Sequence, residues 1–167
     1  MFLRKSTKKD ISAILEIINQ AQEALKLAKV DQWQNNYPNQ ERIELDIAEG
    51  VSYVVELNQQ IVATVALFFS DDPNYLYPLS GQWISEGAYS CIHRIAISNA
   101  LKGSDVGTFI MDNIKTMTQK KGFKSIRVDT HKDNLRMINY LKKHNFIEIG
   151  VIALADGALR NAYEYVL

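Results

Sequence analysis

The fold of this chain is decided by a stretch near its middle, which reads His93-Arg94-Ile95-Ala96-Ile97-Ser98-Asn99-Ala100-Leu101-Lys102-Gly103-Ser104-Asp105-Val106-Gly107-Thr108-Phe109-Ile110. The first part completes a segment, Tyr89 to Ile97, whose β-branched and aromatic residues predict a strand. A glycine-bearing turn follows from Lys102 to Gly107. Beyond it, apolar residues at helical spacing predict a helix ended at Gly122; they are Val106, Phe109, Ile110, Ile114 and Met117. A strand, a glycine turn and a helix therefore form the centre of the predicted fold.

The sequence before this stretch predicts one strand, two helices and a hairpin. Two segments, Val30 to Pro38 and Ser70 to Gly87, show no regular period and are predicted to be irregular. The first regular elements are a strand from Phe2 to Lys5 and a helix that runs from a Thr7–Asp10 capping box to about Lys29. A short helix follows, capped by Asn39 and ended at Gly50, and its apolar side consists of Ile43, Leu45 and Ile47. The hairpin is formed by strands from Val51 to Leu57 and from Ile61 to Phe69.

The sequence after it predicts a further strand, a helix and two closing strands. These are a strand from Lys124 to Thr130, a helix capped by Asp133 and continuing through Leu141, and strands from Phe146 to Leu154 and Ala162 to Leu167, separated by a turn at Asp156-Gly157. The predicted order is therefore β-α-α-β-β-β-α-β-α-β-β, which indicates an α/β protein with a mixed sheet.

The composition excludes several classes of protein. Of the 167 residues, 47% are hydrophobic, enough for a sizeable core in a single domain spanning residues 1–167. The 19 Lys and Arg side chains only balance 19 Asp and Glu, so no nucleic-acid partner is expected. The longest apolar stretch, Ile61 to Phe69, is too short to span a bilayer. The single cysteine, Cys91, cannot form an internal disulfide. We predict a cytoplasmic protein without a membrane partner.

The turn from Lys102 to Gly107 has features of an anion site. The backbone N–H groups of a helix's first turn point outward and attract negative charge, and glycine lets a ligand approach the backbone closely. Lys102 and Ser104 would add a charge and a hydroxyl, whereas Asp105 places a like charge at the same position. The patterns GxxxxGK[ST] and GxGxxG are both absent. An ordinary strand-to-helix turn is therefore the alternative on these residues alone.

Taken together with the sequence downstream, this stretch resembles motif A of the GNAT superfamily of acetyl-CoA-dependent N-acetyltransferases. That family writes the loop as Arg/Gln-x-x-Gly-x-Gly/Ala, and here Lys102 takes the Arg/Gln place, Asp105 the first glycine and Gly107 the second. The segment Asp129-Thr130-His131, Asn134, Met137 and Tyr140 to Phe146 is similar to the family's "N…A…LYEKLGF". Asp31 to Pro38, Ile92 to Ala96 and Asp156 to Glu164 resemble a bacterial branch.

The resemblance implies a GNAT-like fold and a cofactor. The sheet would be mixed and mostly antiparallel, with about seven strands, about four flanking helices and a V-shaped split between strands 4 and 5, which are Tyr89 to Ile97 and Lys124 to Thr130. Acetyl-CoA would lie in the split as the acetyl donor, without a metal. The residues implied to bind it are Ile95, Ala96 and Ile97 for the pantetheine arm, Lys102, Gly103, Ser104, Asp105, Val106, Gly107 and Thr108 for the pyrophosphate, and Asn134 and Met137 on the following helix.

The resemblance also implies direct attack of an amine on the thioester. Tyr140 aligns with the family's tyrosine that protonates the leaving thiolate; a half-buried helix tyrosine is its alternative identity. A base must remove a proton from the amine, and an imidazole suits this at neutral pH. We expect His93, on the same side of its strand as Cys91 and Ile95, to be the base or to hold a water that is. His131 is a second candidate and Glu86 a third, though each has an ordinary structural alternative.

The acceptor is predicted only as a primary amine of a small molecule or peptide. Trp33 and Tyr37 lie in the connection that borders the acceptor pocket in this family, and with Glu86 and His131 they are candidate substrate-binding residues; Trp33 would equally serve to pin the loop onto the core. No His and Cys spacing predicts a metal site. The rival hypothesis is a catalytically inactive GNAT-fold module that binds CoA or regulates a partner. Two copies could pair into a homodimer through exposed strand edges at the C-terminus.

Overall fold

The computed structural model describes residues 1–167 and contains eight strands and four α-helices. In chain order they are β1 (Phe2–Lys5), α1 (Ile11–Leu27), α2 (Gln40–Ala48), β2 (Ser52–Leu57), β3 (Gln60–Phe68), β4 (Ser80–Gly81), β5 (Tyr89–Ile97), α3 (Val106–Lys120), β6 (Ser125–Thr130), α4 (Leu135–Lys143), β7 (Ile147–Ala153) and β8 (Leu159–Val166). The strands form one sheet in the order β1-β2-β3-β5-β6-β8-β7-β4. Strands β5 and β6 are parallel. None of the helices is both long and apolar enough to cross a membrane.

The predicted mixed α/β sheet is confirmed, with one strand more than expected. The additional strand, β4, lies in the segment from Ser70 to Gly87 that we predicted to be irregular, and it pairs with β7 over two residues. Glycine makes this pairing possible, because a Cβ on Gly150 would lie 2.0 Å from the Ser80 carbonyl oxygen. Sequence periodicity cannot detect a two-residue strand, since alternation needs at least four residues to be visible.

Of the two C-terminal strands predicted to offer exposed edges, β8 does not offer one, and β4 covers β7 at only two residues. β8 lies inside the sheet and pairs antiparallel with β6 on one side and with β7 on the other. The edge of this part of the sheet is β4 beside β7 instead. Because both neighbours of β8 satisfy its backbone hydrogen bonds, this strand is not a surface on which a second copy could add.

Residue contacts divide the chain into two compact units. The first unit comprises Met1–Leu67 and His93–Asn113, and the second comprises Phe68–Ile92 and Ile114–Leu167. Each has its own apolar core. That of the first unit is built on α1, α2, β2 and β5, from Ile14, Ile17, Ile18, Ile43, Val54 and Ala96. That of the second unit is built from Tyr75, Tyr89, Cys91, Ile149, Ile152 and Ala162.

The capping box predicted at the start of the first helix is confirmed, and it carries an ion pair. The Asp10 carboxylate accepts hydrogen bonds from the Thr7 N–H at 2.8 Å and the Thr7 hydroxyl at 3.0 Å. Two guanidinium nitrogens of Arg4 donate to it at 2.8 Å each. The bonds from Arg4 outweigh partial burial and, with those from Thr7, lower the pKa of Asp10 to about 2.

We expect this pair to make the protein less stable at acid pH. The folded pKa of Asp10 lies below its unfolded value of about 3.9, so the unfolded state binds the proton first as the pH falls. The stabilisation is therefore fully present above about pH 5 and lost progressively toward pH 2, amounting to about 2 kcal/mol. Urea unfolding between pH 7 and pH 2 measures it. In the variant Asp10→Asn, the free energy of unfolding should fall less steeply as the pH is lowered. An identical pH dependence in both proteins would contradict the assignment of this stabilisation to Asp10.

Candidate active site

The glycine-bearing turn that leads into α3 is exposed and internally braced. It follows a single 3₁₀ turn, Asn99–Leu101, and Gly103 has the left-handed φ of 83° that favours glycine. The Ser104 hydroxyl donates to the Leu101 carbonyl at 2.6 Å and accepts from the Val106 N–H at 3.4 Å. Ser104 therefore closes the turn with the hydroxyl that the sequence suggested for a ligand.

The first turn of α3 supplies the donors expected of an anion site. The first hydrogen bond of the helix runs from the Phe109 N–H to the Asp105 carbonyl at 2.8 Å, so Asp105 is the N-cap residue. The N–H groups of residues 106 to 108 precede the helix's own ladder of hydrogen bonds. Lys102 and Asp105 are both exposed beside them. The turn thus places the first-turn amides of α3 beside one positive and one negative side chain.

Strand β5 contains one residue with left-handed backbone, Arg94. This residue has a φ of 50°, which is left-handed and unusual for a residue with a side chain. The predicted alternation, which placed His93 on the same side as Ile95, assumed extended backbone through Arg94, and Arg94 does not have it. His93 is half-buried. The hydrogen-bonded ladder between β5 and β6 ends at Ile92, and β5 continues to Ile97.

Arg94 holds this conformation through a buried ion pair that sequence reasoning missed. Its Nε and Nη2 atoms donate to the two oxygens of Asp46 at 2.6 and 2.9 Å, and Asp46, on α2, is 1% exposed. The pattern had placed Leu45 on the buried side of α2. Leu45 is instead 46% exposed, because the helix turns Asp46 inward to Arg94. In the sequence, the only sign of this buried ion pair is that the acidic Asp46 stands between the apolar residues Leu45 and Ile47.

The aromatic residues of the loop before α2 have different surroundings. Trp33 is half-buried and packs against the core of the first unit, which supports its alternative role of pinning the loop. Tyr37 is 43% exposed, and its hydroxyl accepts a hydrogen bond from Arg94 Nη1 at 2.9 Å. The structure therefore joins the Tyr37 hydroxyl to Arg94 of β5.

In the second unit, the start of α4 differs from the prediction by one residue. Asn134, and not Asp133, is the N-cap, and its Oδ1 accepts from the Met137 N–H at 3.2 Å. The two residues implied to bind cofactor are thus joined to each other. Asn134 also donates its own N–H to the His131 carbonyl at 2.9 Å. The side-chain oxygen of Asn134 has a structural task whether or not a ligand is bound.

The candidate acid and the second candidate base lie on and beside α4. Tyr140 is half-buried, and its ring meets that of His144 edge to face at a centroid distance of 4.7 Å. His131 accepts the Asp133 N–H at its Nδ1 over 3.2 Å. The carboxylate of Asp133 lies 3.7 Å from the same nitrogen, so Asp133 approaches this side of the imidazole with both its backbone and its side chain.

A pocket of about 560 Å³ in the second unit contains Glu86. Its walls include three aromatic residues, Tyr75, Trp83 and Tyr89, and its lining carries the charged residues Asp71, Glu86 and Arg127. Glu86 is exposed, as expected for a loop carboxylate. Cys91 is fully buried nearby in the core of this unit, and burial, reinforced by Asp72, raises the pKa of its thiol. The thiol is therefore protonated and poorly suited to act as a nucleophile.

One side of this pocket is built on a buried carboxylate, Glu164. This side chain is 0% exposed, and its Oε1 lies 2.6 Å from the Ser125 hydroxyl, 2.7 Å from the Ser85 hydroxyl and 3.2 Å from Arg127 Nε. Its Oε2 accepts from the Ile84 N–H. Burial opposes the charge, but these hydrogen bonds outweigh it and lower the pKa of Glu164. The loop before β5 is thus tied to β6 and β8 by one anion.

No group of three or more His, Cys, Asp or Glu side chains is arranged to hold a metal ion. The candidate residues are divided between the units. The first unit contains Trp33, Tyr37, His93, Ile95–Ile97 and Lys102–Thr108, and the second contains Glu86, His131, Asn134, Met137 and Tyr140.

Comparison with known proteins identifies the family. The profile of the acetyltransferase (GNAT) family matches residues 14–146, whereas a search of curated proteins found no match. A GNAT-family acetyltransferase from Streptococcus agalactiae superposes with a TM-score of 0.87 at 26% identity, over 99% of this chain and 95% of the other. A ribosomal-protein-alanine N-acetyltransferase from Brucella melitensis gives 0.68 at 17% identity over 100% of both chains. An agmatine N-acetyltransferase gives 0.70 at 13% identity over 99% of each.

The profile covers most of the chain, and the sheet with its parallel β5–β6 pair has the topology expected from the sequence. The chain therefore belongs to the GNAT family of acetyltransferases and is an acyltransferase.

Proposed function

We propose that this protein transfers an acetyl group from acetyl-CoA to a primary amine of a small molecule or peptide. The observation that carries the proposal is that the GNAT-family profile matches a region in which a glycine-bearing turn leads from the end of β5 into the first turn of α3. Related structures are named for different amine acceptors, a ribosomal-protein alanine and agmatine. At their low identities these names support an amine acceptor in general and no particular one.

The residues present fit acetyl-CoA, which would supply the activated acetyl group. The backbone of Ile95, Ala96 and Ile97 would pair with the pantetheine arm. The amides from Lys102 to Thr108 would hold the pyrophosphate, because first-turn amides and the helix dipole favour phosphate groups. Asn134 and Met137 would border the arm. No metal is needed for this binding mode.

Proton transfers would be carried out by Tyr140 and His93. An amine must lose a proton to attack, and His93, directly or through a water, would accept it. The Tyr140 hydroxyl would donate a proton to the departing thiolate, since a phenol keeps its proton at neutral pH. Glu86 and Tyr37 would contribute to acceptor binding. His131 and Trp33 are weaker candidates, because the structure gives both of them structural contacts.

We expect Asp105→Asn to tighten acetyl-CoA binding about threefold. A carboxylate at the helix start opposes the phosphate charge by about 0.3–1 kcal/mol at an exposed site. Asparagine keeps the N-cap preference, so the helix start is preserved. Calorimetric titration measures the Kd, and Asp156→Asn, an exposed carboxylate of the second unit, is the control. Unchanged or weaker binding in Asp105→Asn would show that the pyrophosphate does not meet this turn.

The proposal is tested by acetyl-CoA titration followed by thiol release across a panel of primary amines. Millimolar acetyl-CoA should bind, and at least one amine should release CoA. Absence of binding overturns the proposal, whereas tight binding without release across the panel would favour the rival, a catalytically inactive CoA-binding or regulatory module. A single domain, a cytoplasmic location and a homodimer stay predictions of the sequence.

A further inference from the structure

The pocket of the second unit combines aromatic walls with a negative rim. The Tyr75 ring lies with its centroid 5.4 Å from that of Trp83 and 6.5 Å from that of Tyr89. Asp71 and Glu86 line the same pocket and are both exposed. Neither carboxylate belongs to the network around Glu164. The pocket therefore combines aromatic surface with two exposed carboxylates.

The positive charge in the lining is already balanced. Arg127 is 6% exposed, and it donates to Glu164 at 3.2 Å and to the Ser85 carbonyl at 2.9 Å. Its guanidinium carbon also lies 4.2 Å from the Trp83 ring centroid and 3.8 Å from that of Tyr89. Because the positive charge of Arg127 is paired with the negative charge of Glu164, the negative charges of Asp71 and Glu86 remain at the pocket. The rings already bind one planar cation, which shows that their faces are suited to positive charge.

The surroundings of the pocket strengthen the negative potential. Asp129 accepts the Tyr75 hydroxyl at 2.7 Å, and Arg160 approaches it only to 4.0 Å. The pKa of the buried Cys91 thiol is raised first by burial and then by Asp72, Asp129 and Asp71, against an opposing effect of Arg127. Three carboxylates, those of Asp71, Asp72 and Asp129, and one guanidinium group, that of Arg127, thus act on this thiol.

We propose that this pocket binds an organic primary ammonium ion, with its apolar body against the half-buried Trp83 and its charge facing Asp71 and Glu86. Ring faces attract cations, and the carboxylates neutralise them. Such an ion is the protonated form of an amine acceptor. Its identification as the acceptor rests on the proposed function, whereas the binding site itself does not.

The test compares three small molecules of nearly one shape on the full chain without acetyl-CoA. These are 2-phenylethylamine, which is a cation at pH 7, neutral 2-phenylethanol, and anionic 3-phenylpropionate. Calorimetry should give a Kd for the cation that is lower than that for the alcohol by about fivefold or more, and the anion should bind most weakly. Added salt should reduce this preference for the cation. Equal binding of cation and alcohol, tighter binding of the anion, or no binding of any of the three would overturn the inference.

Surface variants locate the site. Glu86→Gln and Asp71→Asn change exposed side chains and should each weaken 2-phenylethylamine about two- to fivefold while leaving 2-phenylethanol unchanged. The control is Glu23→Gln, an exposed carboxylate on α1, which should have no effect. If all three variants changed the Kd for 2-phenylethylamine equally, the assignment of the binding site to this pocket would be overturned. Because acetyl-CoA is absent, cation binding by a chain that transfers no acetyl would refute the proposed function and leave this inference standing.

Discussion

Replacing Tyr140 by phenylalanine is expected to lower the turnover number for acetyl transfer about 10²- to 10⁴-fold while the Kd for acetyl-CoA changes less than about twofold. The substitution removes only the hydroxyl, and the edge-to-face contact with His144 at 4.7 Å needs only the ring. Stopped assays of thiol release give the turnover number, and calorimetry gives the Kd. Loss confined to turnover would assign the hydroxyl to proton transfer to the thiolate.

The matched control is Tyr77→Phe, which removes the same group from a side chain that is 86% exposed in the same unit. Its turnover should equal that of the parent protein. The pH profile provides a further check, because loss of a general acid should remove the decline in rate at alkaline pH. Turnover in Tyr140→Phe within about threefold of the parent would exclude Tyr140 from the mechanism.

The second large effect is expected for stability, where Glu164→Gln should lower the free energy of unfolding by about 3 kcal/mol. The carboxylate oxygens are surrounded by donors from Ser85, Ser125, Arg127 and Ile84. A neutral amide presents one acceptor and one donor group, so one set of donors would face an N–H₂ and Arg127 would lose its counter-charge. Buried donors without partners are costly. Urea unfolding at pH 7 measures the change.

Two comparisons separate this network from ordinary surface charge. Glu23→Gln, on α1, should stay within about 0.5 kcal/mol of the parent. The double variant Glu164→Gln with Arg127→Met should lose less than the sum of its single variants, because each single variant leaves the other buried group unpaired. A loss below about 1 kcal/mol for Glu164→Gln, or strict additivity in the double variant, would contradict the assigned role.

Features with a local cause were predicted well from the sequence. The bounds of β5 coincide with the predicted strand, and the hairpin and both caps at Thr7 and Asn39 are present. Each depends on residues within one segment: β-branched runs, a hydroxyl three residues before a carboxylate, an amide at a helix start. Local chemistry is visible in a single sequence because the partners are neighbours along the chain.

Features that depend on distant partners were missed. The left-handed Arg94 is held by Asp46, which lies 48 positions away, and Glu164 reaches Ser85 across 79. A charged residue in a strand gives no sign that it is buried until its partner is known. The Asn134 cap was assigned one residue early, since Asp133 and Asn134 have nearly equal N-cap preference. Apart from Tyr89 and Arg127, the pocket walls come from a loop with no period of its own.

The position of β8 has a consequence for the order in which the protein is made. β6 and β7 leave the ribosome first, yet the sheet joins them only through β8, which pairs with both. β6 can pair with β5, and β7 with β4, as soon as they emerge, but the side of each strand that faces β8 stays unpaired until residues 159 to 166 follow. Nascent chains that stop short of β8 would therefore expose strand edges to aggregation and to chaperones, while the pairing of β1, β2 and β3 is already complete.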